Sequence, residues 1–316
     1  MSGWGTKFGF LAAGACVLAA CDEPASSPRP EPRGTPPVIA SPAPPPPSER
    51  SVALAAYYGS VQRQLVAQGL MRRDGGGPDT PFSQRQLVRN FIQIGVFNEF
   101  TFSGGTYQDR KSEGRVQRWD KPVRLTMDFG DSVAPDLRRD AQTTVATFAS
   151  RLSRLTGLDV SLKQRRGNFT VAVLSVDELD AFGPELMRLF PGLGSALAAQ
   201  ITNMPRPVYC AVYAFSDADQ PDSFHSAIAI IRAEHPKRLR DSCFHEEIAQ
   251  GLGLSNDSPA ARPSIFNDDD EFALLTSHDE LLLKILYDKR LPLGATPAEA
   301  RPVVETIAAE LLGGES

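Results

Sequence analysis

The stretch Glu246-Glu247-Ile248-Ala249-Gln250-Gly251-Leu252-Gly253-Leu254-Ser255-Asn256 carries the residue types and spacing that could do chemistry. Glu246 and Gln250 stand four residues apart, on one face of a helix, with Glu247 beside them. Gly253 permits a sharp reversal at the helix end, and the reversal can fold Asn256 back toward the same face. Asp257 and the run Asn267-Asp268-Asp269-Asp270-Glu271 add oxygens nearby, although such a run is more often a solvated loop. His245-Glu246 opens like H-E-x-x-H, but Ala249 holds the second His place. His225, His235 and His278 show no ligand spacing and are expected at the surface or as caps. There is no G-x-S-x-G elbow and no Gly-rich phosphate loop.

The spacing of this stretch resembles the metzincin zinc-protease motif H-E-x-x-H-x-x-G-x-x-H. Glu247 and Gly253 match it, while Glu246, Gln250 and Asn256 stand where its three His would be. Metzincins continue with a turn close to S-I-M-N, then L-T/S-x-x-D opening a helix that ends in L-Y. This chain has Ser264-Ile265-Phe266-Asn267, then Leu275-Thr276-Ser277-His278-Asp279, then Leu286-Tyr287. The resemblance covers roughly residues 121–288. It implies an α+β, zincin-like fold: a twisted mixed sheet with a long backing helix, an active-site-type helix and a C-terminal helix. It also implies that Phe266, in the Met place, forms the site floor, and that Glu247 would be the general base if the site were active. With the three ligands replaced, no zinc is expected; any cofactor would be another divalent metal. The segment Cys243 to Arg290 is further similar to a bacterial family of unknown function whose members are mostly envelope proteins.

The amino end reads as an address. Lys7 is the sole charge before Asp22, and Phe8 to Ala20 is apolar, too short to span a membrane. Leu18-Ala19-Ala20-Cys21 resembles a bacterial lipobox, which implies cleavage before Cys21 and acylation of that residue. The lipid bilayer is then a partner, and the protein is expected to be membrane-anchored on the extracytoplasmic side. Of 26 prolines, 11 fall between Pro24 and Pro47, so this part is a tether rather than a packed domain. Removal of Cys16 and acylation of Cys21 leave Cys210 and Cys243. In an oxidising compartment they suggest one disulfide; two unpaired buried thiols are the alternative.

The elements that must position the candidate site follow from periodicity. Ser83 to Phe100 is helical, with Leu87, Phe91, Ile94 and Phe97 at helical spacing. Lys121 to Phe129 alternates as a strand. Pro135 opens a long helix that Gly157 ends. Val160 to Leu162 and Phe169 to Leu174 form a strand pair or one bent strand. Leu179 to Gln200 is a helical excursion broken at Pro191-Gly192. Val208 to Phe215 is a strand, and Ala227 to Ile231 is expected to be an edge strand. Arg238 to Gly251 and Ser277 to Tyr287 are helical. The organisation is a signal at 1–20, a tether at 21–50, a helical and extended region at 51–120, a zincin-like domain at 121–290 and a tail with a short helix at 291–316.

The 33 Lys and Arg against 38 Asp and Glu give a net charge of −5, and no long basic run occurs, which argues against nucleic acid as a partner. The expected function is a catalytically degenerate module that binds an extended peptide or an envelope protein along the Ala227 to Ile231 strand. The alternative is a metal-dependent hydrolase that uses Glu247 with atypical ligands.

Overall fold

Ser48 halts the proline run by capping a helix: its Oγ accepts from the Ser51 N–H at 3.1 Å, and α1 runs Glu49–Ala67. The computed structural model describes residues 46–103 and 106–313, all within the unit Ala43–Ser316. The signal segment, Cys21 and nearly all of the tether lie outside the described residues. A Ser83–Gln86 capping box starts α2 (Gln84–Val96), which buries Leu87, Phe91 and Ile94. This helix was expected to continue to Phe100. It stops at Val96 because Phe97 is extended and begins β1 (Phe97–Ser103), paired antiparallel with β2 (Thr106–Glu113). The aromatic and β-branched residues Phe97, Phe100, Thr101 and Phe102 favour that backbone.

The main sheet begins with β3 (Val123–Phe129). Pro135, which needs no N–H at a first helical turn, opens α3 (Pro135–Thr156), and Gly157 ends it at φ 70°. β4 (Val160–Leu162) and β5 (Phe169–Leu174) follow. They are neither a pair nor one bent strand: both run parallel to β3, on its opposite sides. Next come α4 (Val176–Ala181), α5 (Gly183–Leu189) and α6 (Ser195–Thr202), then a hairpin of β6 (Cys210–Asp217) and β7 (Gln220–Arg232). The strand order is β4-β3-β5-β7-β6, with only β6 antiparallel to its neighbour. The fold is therefore mixed α+β around a mixed sheet.

Ala227 to Ile231 is thus not an edge strand, as the sequence suggested. It lies inside β7, bonded to β5 on one side and β6 on the other. Its side chains explain why. Ala227, Ala229 and Ile231 enter the main core, while Ile228 and Ile230 enter a second core with Leu179, Leu186, Leu197 and Ile201 of α4 to α6. Continuous apolar sequence marks a strand covered on both faces. The true edge beside it is β6.

On the main face lie α7 (Lys237–Gln250), α8 (Ser277–Leu286) and α9 (Pro297–Gly313). The tail expected to hold a short helix thus carries one of 17 residues. α9 packs on α2, and Leu87, Phe91, Val304 and Ile307 share one core with α7, so the core is continuous across the boundaries read at 120/121 and 290/291. Among the described residues no helix is long and apolar enough to cross a membrane.

Cys210 at the start of β6 and Cys243 on α7 form the disulfide, with Cα atoms 5.9 Å apart and a sequence separation of 33. In the chain-entropy account such a loop stabilises by roughly 3–4 kcal/mol. Replacing both cysteines by serine should lower the unfolding free energy by about that amount, read by denaturant titration. An unchanged midpoint would show that the crosslink does not constrain the unfolded chain.

Candidate functional site

α7 is buried on most of its circumference. Leu239, Cys243, Phe244, Ile248 and Ala249 are buried, and so are the polar Arg240, Asp241, His245 and Glu247. A helix enclosed in this way brings its polar side chains into the interior rather than to a solvent face. Its end is held by two polar side chains. Trp119 Nε1 donates to the Gly251 carbonyl and the Tyr287 hydroxyl to the Leu252 carbonyl, both at 2.8 Å, which satisfies acceptors a helix end leaves open. Gly253 then reverses the chain at φ 121°. A Cβ there would lie 2.2 Å from the Gln117 carbonyl oxygen, so only glycine fits.

Glu246 and Glu247 come together. Their carboxylate oxygens and the Cys210 Sγ lie within 4.8 Å of one another. The sulfur is in a disulfide and offers no thiolate. Burial, then the Glu247 carboxylate, then Asp257, Asp270 and Asp268 push the Glu246 pKa well above the usual carboxylate range. Two carboxylates this close share charge poorly, so the pair favours holding a proton. Asp270 is raised in the same direction, chiefly by burial and then by Asp269 and Asp268. Asp268 and Asp269 of the acidic run are exposed, and the run adds negative charge toward Glu246.

Gln250 and Asn256 take different hydrogen-bond partners. Gln250 Nε2 donates to Asp257 Oδ1 at 3.1 Å. Asn256 is fully buried, its Nδ2 donates to the Gln93 carbonyl at 2.7 Å and its N–H to the Ile94 carbonyl at 3.1 Å. It therefore fastens the reversal to the end of α2, and Asp257 takes the place beside Gln250. Phe266 is fully buried in the core that holds Phe244, Ile248 and Leu252.

What holds the Ser264-Ile265-Phe266 turn is Asp279, whose carboxylate is fully buried. Ser264 Oγ donates to it at 2.6 Å, the Ile265 N–H at 3.1 Å and the Thr276 N–H at 2.9 Å. Thr276 Oγ1 lies 2.8 Å from the same carboxylate and 2.9 Å from the Pro263 carbonyl, and its single hydrogen serves one of them at a time. Thr276 and Asp279 also form the capping box of α8. The L-T-x-x-D stretch is thus a clasp that locks the Ser264-Ile265-Phe266 turn to a helix start.

Of the three histidines expected at the surface or as caps, His225 is exposed and His235 and His278 are not. His235, His245 and His278 are all buried. His245 stacks on Phe148 with ring centres 4.0 Å apart, and its Nδ1 accepts the Leu275 N–H at 3.1 Å, which puts the proton on Nε2. Burial, helped by Arg151 and Arg73, pulls its pKa down to about 3. His235 sits edge-on to Tyr58 and is pulled to about 3 by burial, Arg232 and Arg240. His278 Nε2 lies 3.1 Å from Asn90 Nδ2. All three serve packing.

This set does not fit zinc. Asn256 presents its amide nitrogen to α2, Gln250 presents its own to Asp257, Cys210 is oxidised, and Glu246 favours its neutral form. That leaves Glu247 as the one strong donor of the matched positions, where zinc needs about three. The arrangement can instead hold a proton between two carboxylates. Two concavities, of about 440 and 270 Å³, lie elsewhere: one is lined by Gln117, Asp222 and Thr296, the other by Arg50, Tyr57 and Arg232. No motif in the sequence marks either.

No curated protein and no solved structure matches the chain. The family described as "Protein of unknown function (DUF2927)" matches residues 84–306, from the start of α2 into α9, so that one match takes in the sheet, the Glu246–Glu247 pair and the Asp279 clasp; the chain belongs to this family.

Proposed function

We propose that the chain is an envelope protein, anchored to the membrane through acylated Cys21, whose domain is zincin-like but catalytically degenerate and binds an extended peptide. The observation that carries this reading is the position of β6. It ends the sheet, has no second strand neighbour among the described residues, and begins at Cys210, within 4.8 Å of the Glu246 and Glu247 carboxylates. An open strand edge offers backbone groups to an incoming chain, and adjacent carboxylates add acceptors. The zincin likeness is supported by the element order of strands, long helix, edge strand, buried helix and Asp279-clasped turn. The lack of three zinc donors supports binding rather than hydrolysis.

Hydrogen exchange during titration with a pool of unstructured decapeptides tests the reading. Amides of β6 should gain protection on peptide addition, the peptides should stay intact, and metal analysis should find well under one zinc per chain. One zinc per chain, with a peptidase activity that Glu247→Gln abolishes, would establish the hydrolase alternative instead. Mass spectrometry of the mature N-terminus reads the anchor: an unmodified Cys21 removes it.

A further inference from the structure

A pocket of about 270 Å³ lies against the first turns of α1, past the carboxyl ends of β5 and β7, where open parallel sheets commonly take ligands. Leu54, Tyr57, Val176 and Met204 give it an apolar and aromatic wall, and Arg50, Arg206 and Arg232 complete it. The three guanidinium groups differ in state. Arg50 is paired with Asp180. Arg206 is exposed, stacks 4.3 Å over the Tyr57 ring, and forms no ion pair within 4.0 Å among the described residues. Arg232 is only 1% exposed and also forms no ion pair among the described residues; it donates to the carbonyls of Met204 at 2.6 Å, Pro205 at 3.2 Å and Val208 at 3.4 Å.

A buried guanidinium with only carbonyl partners has no opposite charge beside it, and an anion of fitting geometry supplies one. Glu234 is a partial counterweight. It is buried, and its Oε1 accepts from Ser51 Oγ and the Val176 N–H, both at 2.8 Å. Its charge reaches Arg50 and Tyr58. Two unpaired guanidinium groups against one carboxylate leave a balance that suits a monoanion better than a phosphate dianion.

We propose that this pocket binds a single carboxylate carried on a small apolar or aromatic group. Arg206 and Arg232 hold the carboxylate, while Tyr57, Leu54 and Met204 cover the apolar body. Such a carboxylate comes from a free acid or from the last residue of a peptide, and the recognition chemistry is the same. The site stands independently of peptide binding along β6.

Titration calorimetry of the full chain decides it, with benzoate, benzamide, phenyl phosphate and two short peptides ending in Phe, one a free acid and one amidated. Benzoate should bind with a Kd of about 1 mM or tighter, and benzamide about tenfold more weakly. Arg206→Ala should weaken benzoate about tenfold, with Arg206→Lys in between, because a single ammonium replaces part of the fork. Arg206 is exposed and stands outside both cores, so its substitution leaves the fold intact where Arg232→Ala need not. A free-acid peptide that binds tighter than benzoate, with no binding by its amide, assigns a peptide end as the source; the reverse order assigns a free acid. The proposal is overturned if benzoate fails to bind below about 10 mM, if benzamide binds as well, if phenyl phosphate binds tighter, or if Arg206→Ala changes nothing.

Discussion

Asp279→Ala should cost the fold about 3 kcal/mol or more, because it strips the acceptor from donors that cannot reach water. Ser264 Oγ, the Ile265 N–H and the Thr276 N–H all end on that carboxylate, and every one of these residues is buried. Asp279→Asn keeps the shape but turns an NH₂ toward some of those donors, so most of the loss should remain. Ser264→Ala removes one donor of the set and should cost only about 1 kcal/mol. Urea titrations of the three variants at one pH read the series. If Asp279→Ala shifts the unfolding free energy by less than about 0.5 kcal/mol, the clasp does not hold the turn. The same variant should raise hydrogen exchange at Ile265 and Phe266, since the Ser264-Ile265-Phe266 turn hangs from this one side chain.

Acidification from pH 7.5 to 5 should lose about 4 kcal/mol through His235 and His245 together. Both have folded-state pKa values pulled from 6.5 to about 3. A depressed His pKa means that the unfolded chain binds the proton first. The stability is therefore present above pH 6.5 and drains away as the pH falls toward 3. At pH 5 each His lies about 1.5 units below its unfolded value, or about 2 kcal/mol. Glu246 acts in the opposite sense. Its pKa is raised, so the fold takes up a proton more readily than the unfolded chain, and acidification through that range stabilises. Comparing unfolding free energies at the two pH values separates the contributions. His245→Gln should cut the pH-dependent loss by about 2 kcal/mol whatever it does to stability at pH 7.5. Glu246→Gln should steepen the loss. A pH-independent free energy in the parent protein would mean that neither His is held neutral by burial.

Sequence alone was enough wherever the cause is local. Pro135 and Gly157 bracket a helix because one lacks an N–H and the other tolerates a positive φ. Gly253 reads as a reversal for the same reason. The pairing of Cys210 with Cys243 followed from counting thiols, and the meeting of Glu246 with Glu247 on one helix from their adjacency. Tertiary structure decided the rest. Whether Ala227 to Ile231 lies at an edge depends on which strand pairs beyond it, and β6 supplies that pairing through bonds the periodicity of β7 cannot encode. Asn256 and Asp257 are neighbours in sequence, yet one turns to the Gln93 carbonyl and the other to Gln250, because α2 arrives from more than 150 residues upstream to claim the first. The buried histidines look like surface residues in sequence, because a titratable ring is hidden only when Phe148, Tyr58 or Phe82 arrives from a distant element to cover it. The arginine pocket draws on residues 50, 206 and 232, which nothing but the packing of α1 against the strand ends brings together. Capping, turn geometry and helical spacing are short-range forces and leave a short-range record. Strand order, burial and the meeting of charges are set by contacts between distant segments, and that information exists only once the chain has folded.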